Sequence, residues 1–435
     1  MSNLVAGSSD KRGEGIPLFA SLKIRNYQLF FWGGFLSNIG GWMARIAQDW
    51  LVLTILTDYS STALGVTTAL QFLPALVLVP WTGTAADRFD KRKLLVVTQA
   101  GMLATGLVLA VLAWTQTATT WHVYLLAFLS GIAGAFDTPA RQAFAPEMVP
   151  KRLIPNAVGL NTTSFHAARL IGPAVAGVSI AWWGVAPALL VNALSFAPVI
   201  VALLLMNPDE LAISPSANKP GAIMEGLRYV KRRSDIIVLM FIVFMLGTFG
   251  LNFQVVNALM ATVTFNVGAD DFGFLSSIMA VGSLAAGLWA AKRTRLRLRL
   301  ILFGMAGFGV MMSVLTFSPN IEFYAVILAP VGFTSLTVMT AANASVQLAV
   351  EPEMRGRVMA LYMAIFLGGT PIGAPLIGWV GDAFGPRWTI AIGAFSALLT
   401  VAVVVLYAVW RNGWEWPGHT HDDDDIVPQP PEDLR

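Results

Sequence analysis

Apolar runs long enough to cross a bilayer follow one another along most of the chain, separated by short polar or charged turns. A spanning helix needs about 20 consecutive apolar residues. On that measure the pattern predicts twelve spans, at 27–56, 63–86, 94–114, 121–144, 156–182, 185–206, 235–263, 271–291, 299–317, 322–349, 357–380 and 386–410. An even number places both termini on one side. Residues 1–26 are polar and contain no apolar core of a cleavable signal, so the first run reads as a retained anchor helix.

The long interruption at 207–234 divides the spans six and six. Its first part, NPDELAISPSANKPG, is rich in turn formers and reads as a linker. Its second part, AIMEGLRYVKRR, puts Ile223, Leu227 and Val230 on one helical face and Arg228, Lys231 and Arg232 away from it, the pattern of a helix at a membrane surface. The expected organisation is a tail (1–26), a six-helix bundle (27–206), the linker (207–234), a second six-helix bundle (235–411) and an acidic tail (412–435). The fold class expected is therefore an all-α polytopic membrane protein.

Charge sets the orientation. Of 28 Lys and Arg, all but Arg45, Arg169 and Arg387 fall on one side of the spans, in groups that include Lys11 to Arg25, Arg88 to Lys93, Arg141 to Arg152, Lys219 to Arg233 and Lys292 to Arg299. The opposite turns carry Asp58, Asp270, Asp271, Glu322 and Asp382. Such a bias places the basic side and both termini in the cytoplasm.

Composition narrows the function. The chain is 56% hydrophobic and 12% charged, about half the charge of a soluble domain, and its net charge of +3 comes from turns, not from a nucleic-acid face. With no cysteine, disulfides, thiolate metal sites and thiol catalysis are excluded. There is no G-x-x-x-x-G-K-[ST] loop for ATP, so work must draw on a gradient or on the substrate. No His and carboxylate cluster has ligand spacing within the spans, so neither an embedded enzyme, a metal nor a cofactor is expected.

An internal repeat supports the division into halves. Pro146-Glu147-Met148 recurs as Pro352-Glu353-Met354, and Gly172, Gly177 and Gly184 recur as Gly373, Gly378 and Gly385, each 201 residues later. Two related six-helix halves around a central site are a transporter plan, in which the halves rock to expose that site to either side.

The most charged turn is GTAADRFDKRKLL, from Gly83 to Leu95. It resembles the major facilitator superfamily signature G-x-x-x-D-R-x-G-R-[RK]: Gly83, Asp87, Arg88, Lys91 and Arg92 fit, and Asp90 replaces the second glycine. AFDTPARQAFAPEMVP (135–150) and NAVGLNTTSFHAARLIGPAVAG (156–177) resemble the drug:proton antiporter branch that holds the enterobactin exporter, macrolide efflux proteins and actinobacterial multidrug pumps. The resemblance covers residues 25–410. It implies alternating access, a small amphiphilic substrate, protons as coupling ions and a monomer among membrane lipids.

Charged residues within spans cost about 2.5–3.5 kcal/mol each on insertion scales, so each is a functional candidate. Arg45 and Asp49 are four apart on one helical face and can pair. Asp49 is read as the proton-sensitive group, with a permanent ion pair as the alternative. Asp137 and Arg141 share that spacing, and the resemblance implies that they latch onto Asp87 and Arg88 in a cytoplasmic gate that includes Gly83 and Arg92. Arg169, Gly172, Pro173 and Gly177 resemble an antiporter helix motif, Gly for close approach and Pro for a kink. His166 reads equally as a packed neutral side chain or a proton carrier. The cavity is expected to be lined by Trp42, Gln48, Gln71, Phe72, Asn161, Phe253, Gln254, Asn257, Asn343 and Gln347. The function expected is proton-coupled export of a drug, siderophore or other metabolite across the inner membrane of a bacterium. The alternatives are a nutrient importer of the same fold and a membrane scaffold that moves nothing.

Overall fold

The computed structural model describes residues 17, 19–212, 222–291 and 298–412, which are almost entirely helical. In the first half the helices are α1 (Arg25–Trp50), α2 (Ser61–Val77), α3 (Val79–Arg88), α4 (Lys91–Trp114), α5 (Thr120–Phe144), α6 (Ile154–Trp183) and α7 (Val185–Leu205). After α8 (Ala222–Lys231) come α9 (Ser234–Met245), α10 (Phe253–Leu259), α11 (Ala269–Ala291), α12 (Leu298–Thr316), α13 (Ile321–Ala349), α14 (Pro352–Phe384) and α15 (Pro386–Asn412). The expected tails at 1–16 and 413–435 and the basic segment 292–297 lie outside the described residues.

Nine helical segments among the described residues are long and apolar enough to cross a membrane. The three other expected spans are helical as well, and each carries a polar or broken stretch. Arg45 and Asp49 interrupt the apolar run of α1, and His166 and Arg169 that of α6, although both helices are continuous. The span expected at 63–86 is divided at Leu78 into α2 and α3. Pro80 sets that division, because its missing N–H and its ring exclude a continuous helix but suit the first turn of a new one. The span expected at 235–263 is also broken. From α9 the chain passes through a π turn (Leu246–Gly250), leaves helical geometry at Leu251 and Asn252, and re-enters it in α10. There the Asn252 side-chain amide donates to the Thr248 carbonyl at 2.7 Å, satisfying an acceptor that the break frees.

The signature turn is built by its own residues. Asp90, standing where the superfamily signature has glycine, accepts from the Lys93 N–H at 3.1 Å and so caps α4. Tyr27, Leu95, Phe144, Met148, Ala157 and Leu203 are buried together. This cluster gathers the starts of α1, α4 and α6 and the ends of α5 and α7 at one end of the half. The Lys and Arg groups of these junctions lie there, and it is called the basic end below.

Two seams join the halves: α2 packs along α14, and α6 packs along α11. The repeated glycines take equivalent places in them. Gly184 and Gly385 have φ of +83° and +99° and form the one-residue turns between α6 and α7 and between α14 and α15. A Cβ on Gly177 would stand 2.5 Å from the Ala269 carbonyl of α11, and one on Gly378 would collide with the Ser61 carbonyl at the start of α2. In each half the fifth helix thus uses one glycine to admit the backbone of the second helix of the other half.

The linker helix α8 docks on protein. Val230 is buried, whereas Leu227 and Met224 are exposed, so the expected apolar face of Leu227 with Val230 is not a single surface. Glu225 pairs with Arg357 of α14 at 2.8 Å. Beside it, Arg233 holds Asp235, the Tyr229 hydroxyl and the Ala349 carbonyl. The Asp235 carboxylate raises the Arg233 pKa above its ordinary value, fixing the charge at this junction.

Candidate functional site

The seams close at the end opposite the basic one. There the Asp382 carboxylate of α14 accepts from the Ser61 N–H (2.7 Å), the Thr62 N–H (3.0 Å) and the Ser60 hydroxyl (3.2 Å), capping the first turn of α2 from the other half. A carboxylate at a helix N-terminus meets unpaired N–H groups and the positive end of the helix dipole. Further along, a Cβ on Gly65 would collide with the Ala374 carbonyl, so α2 and α14 touch backbone to backbone. In the second seam the Ser277 hydroxyl of α11 donates to the Leu170 carbonyl of α6 at 2.8 Å. Toward the basic end Gly159 of α6 and Gly356 of α14 have open space beside them, as does Gly83 of α3: a Cβ there would meet nothing within 4 Å.

Between the seams lies a cluster of cations and aromatic rings. The Arg45 guanidinium sits 4.6 Å from the centre of the Trp42 ring and 5.2 Å from that of Phe72, and the Arg169 guanidinium lies 5.6 Å from the Trp42 centre. Phe165 meets the Trp42 ring edge-on at 6.0 Å, and His166 stands against Phe165 at 5.8 Å. Cation–π contacts of this kind gain strength as water is removed. Gly172 makes the cluster possible, because a Cβ there would stand 2.5 Å from the Trp42 Cβ and hold α6 off α1. Pro173, the next residue, lies inside α6 and is buried.

The expected pairing of Arg45 with Asp49 is not made within 4.0 Å among the described residues. Helical side chains lean toward the N-terminus, so Arg45 reaches back over Trp42, and the short Asp49 side chain one turn later does not follow it. Asp49 is buried, and its Oδ2 receives no hydrogen bond from the protein.

The basic end holds a second polar network, confined to the first half. Asp137 of α5 accepts from Arg141 Nε (3.0 Å), Thr98 Oγ1 (2.9 Å) and Gln99 Nε2 (2.7 Å), and Gln99 in turn accepts from the Ser37 hydroxyl of α1 at 3.0 Å. The Arg141 guanidinium lies over Phe30 of α1, 5.6 Å from its centre. Lys91 pairs with Glu147 at 2.8 Å, and Arg92 donates to the Leu203 and Leu204 carbonyls at the end of α7. Arg88 is exposed at the end of α3, and the side chain of Asp87 lies outside the described residues.

Of the other expected cavity residues, Gln71, Asn161 and Gln254 are half-buried and Gln48 is buried. Phe253 is buried against Phe308, and Asn257 accepts from the Tyr324 hydroxyl at 2.9 Å, so both are spent on packing within the second half. Asn343 accepts from Gln347 at 2.7 Å across one turn of α13, on its exposed side. Three features escaped the sequence reading: the Ser37, Thr98 and Gln99 links to Asp137, the Phe165 edge of the cluster, and the Asp382 cap. The first had a signal, a Thr-Gln pair inside an otherwise apolar run.

Two helical halves joined through glycine-lined seams, closed at one end around a charged cluster, define a multi-pass transporter of the major facilitator fold. The transmembrane secretion effector profile matches residues 16–417, and the chain belongs to that family. It is 26% identical to the staphyloferrin A transporter of Staphylococcus aureus, over 86% of this chain and 94% of that protein. It is 23% identical to macrolide efflux protein A of Streptococcus pyogenes (88% and 96%) and 25% identical to the multidrug efflux pump Tap of Mycolicibacterium fortuitum (87% and 95%). Among solved structures it resembles the nucleoside transporter NupG, with a TM-score of 0.67 at 14% identity over 89% of this chain and 99% of that one. A bacterial homologue of the human lysosomal transporter Spinster, inward-facing and unoccupied, matches with a TM-score of 0.66 at 14% identity over 91% and 97%.

Proposed function

We propose that the protein exports small amphiphilic molecules, a drug, siderophore or other metabolite, across the cytoplasmic (inner) membrane of a bacterium in exchange for protons. It does so as a twelve-pass monomer whose basic end and termini face the cytoplasm. The observation that carries this reading is the α2–α14 seam, closed at Asp382, with open space beside Gly356 toward the basic end. With the basic end cytoplasmic, that is the inward-facing state, open for loading from the cell. The relatives named as siderophore, macrolide and multidrug transporters support the substrate range.

The gate forms when the basic end closes and α3 brings Gly83, Asp87 and Arg88 to the start of α14. Asp137 and Arg141, with Arg92 anchored on α7, hold the α4–α5–α7 platform that carries this turn. In α6, Arg169 faces the cargo while Gly172, Pro173 and Gly177 fit the helix to both of its neighbours. Asp49 exchanges the proton: its buried Oδ2, without a donor from the protein, takes either a proton or a hydrogen-bond donor of the cargo, and Arg45 one turn away senses which. A proton crossing about 150 mV yields roughly 3.5 kcal/mol, enough for a gradient of a few hundredfold. In proteoliposomes with an imposed pH gradient, wild type accumulates at least one of a panel of amphiphilic fluorophores that carry a negative, a positive or no charge, and Asp49→Asn loses the pH-driven accumulation but still exchanges dye for dye. Wild-type vesicles that move no such compound under the gradient would sink the exporter reading.

A further inference from the structure

Arg45 and Arg169 are two cations in the interior of a membrane protein, and among the described residues neither has a carboxylate within 4.0 Å. Other Arg side chains of the first half are provided for: Arg141 has Asp137, and Arg92 has the end carbonyls of α7. Arg45 and Arg169 each lie instead against the Trp42 ring, and Arg45 against Phe72 as well, contacts that neutralise no charge. Asp49 acts on Arg45 only from beyond ion-pair distance, so neither cation has a counter-ion in contact; such an arrangement is costly, and functional sites are where such cost is retained.

Location separates cargo from lipid as the missing partner. Arg169 lies about 22 Å along α6 from its basic end at 1.5 Å per residue, well inside a hydrocarbon core about 30 Å thick. It lies on the side of α6 that meets α1, across from Arg45, and not on the lipid-facing side. Headgroups at either face do not reach this depth.

We propose that Arg45 and Arg169 form an oxyanion subsite, so that the cargo is an amphiphilic organic acid. One carboxylate meets the two guanidiniums while its apolar body lies on Trp42, Phe72 and Phe165. Guanidinium forks match carboxylate oxygens and stack on aromatic planes, so one pair of residues serves both the acid and the ring of the cargo. Asp49 extends the subsite: a hydroxyl or N–H beside the acid donates to its free Oδ2, which a proton on Asp49 would block. Acid recognition and proton exchange then meet on one face of α1, at Trp42, Arg45 and Asp49. This inference rests on the exporter reading.

The test uses full-length protein in phosphatidylcholine nanodiscs and three probes with one fluorophore: dansylglycine (anionic), dansylglycinamide (neutral) and dansylcadaverine (cationic). Wild type binds dansylglycine at least about tenfold more tightly than the other two, as expected when charged hydrogen bonds are gained. Arg45→Gln and Arg169→Gln each remove that preference by weakening dansylglycine binding far more than dansylglycinamide binding, while Arg169→Lys keeps part of it. Retained amide binding by monodisperse protein shows that the variants fold, and Arg169 alone carries the test if Arg45→Gln does not yield monodisperse protein. Equal or tighter binding of the neutral or cationic probe by wild type overturns the proposal, as does a preference that survives both substitutions or a failure of dansylglycine to bind. Nanodiscs of phosphatidylglycerol add the lipid arm: dansylglycine binding lost only there makes a lipid phosphate the occupant and also overturns it. Carboxylate preference without pH-driven flux in vesicles keeps the subsite and sinks the exporter reading; dye flux without carboxylate preference does the reverse.

Discussion

The two ends of the bundle are held by different means. At the end opposite the basic one, contacts run between the halves and are made by backbone, small residues and a single carboxylate: Gly65 on Ala374, Gly378 on Ser61, Gly177 on Ala269, and Asp382 on the first turn of α2. At the basic end the ionic contacts do not cross between the halves: Asp137 pairs with Arg141 and Lys91 with Glu147 inside the first, and Arg357 of the second half pairs with Glu225 of the linker helix. The difference separates two tasks. Ion pairs inside a half keep its helices together through the cycle, and the seam, which must come apart, is built from surfaces that fit closely but are joined by few strong bonds. A charged network costs desolvation each time it is broken, whereas close-packed glycine surfaces part with little polar loss.

The sharpest way to break this comparison is to fill the seam. A side chain at Gly177 or Gly378 meets the backbone of the other half, which cannot rotate aside, and overpacking of this kind costs about 1–3 kcal/mol or more per site. The double variant Gly177→Val with Gly378→Val is expected to abandon the closed seam and lose nearly all transport. The chain contains no cysteine, so spin labels at Tyr59→Cys and Phe384→Cys, two exposed positions at that end, report the distance without background. A distance unchanged from that of the labelled protein with native glycines would show that the seam does not set the resting state.

A smaller effect is expected from the cap. Asp382→Ala removes a cap supplied from the other half, worth about 1–2 kcal/mol by analogy with ordinary N-caps, and so shifts the resting state toward opening by roughly five- to thirtyfold. The same label pair reads the shift. Asp137→Ala is its counterpart in the basic-end network: it should lower the thermal unfolding midpoint, since Thr98, Gln99 and Arg141 all lose an acceptor, and leave the label distance as it is. Exchanged outcomes, with Asp382 governing stability and Asp137 governing the distance, would invert the comparison.

What could be read from the chain follows the same line. Helices, the glycine repeat and the basic end were legible because each rests on local signals: apolar length, a 201-residue echo, and a one-sided distribution of Lys and Arg. The breaks at Leu78 and Leu251 were missed, although Pro80 announced the first; no proline or charge marks the second, where a side-chain amide replaces a backbone bond. Asp382 showed only as an acid in a turn, because its partners lie 320 to 322 residues away and two of the three are backbone N–H groups, which carry no residue code. Arg45 and Asp49 looked like a pair because spacing places them on one face, but spacing does not say that a ring at Trp42 and another at Phe72 will hold the guanidinium.

The mildest test concerns the link between the linker helix and the second half. The Arg357 to Glu225 distance of 2.8 Å is as short as that of Lys91 to Glu147, but the side chains are 25% and 55% exposed, against 12% and 6% for the buried pair. Exposed pairs contribute about 0–1 kcal/mol, because water screens the attraction and two long side chains must be ordered. Glu225→Gln should therefore leave transport unchanged and move the unfolding midpoint by little, whereas Glu147→Gln, which strands Lys91 with a buried neutral partner, should lower it clearly. Equal losses from the two substitutions would mean that α8 is part of the platform on which the second half moves, and the division between fixed ion pairs inside each half and a parting seam between them would have to include the linker.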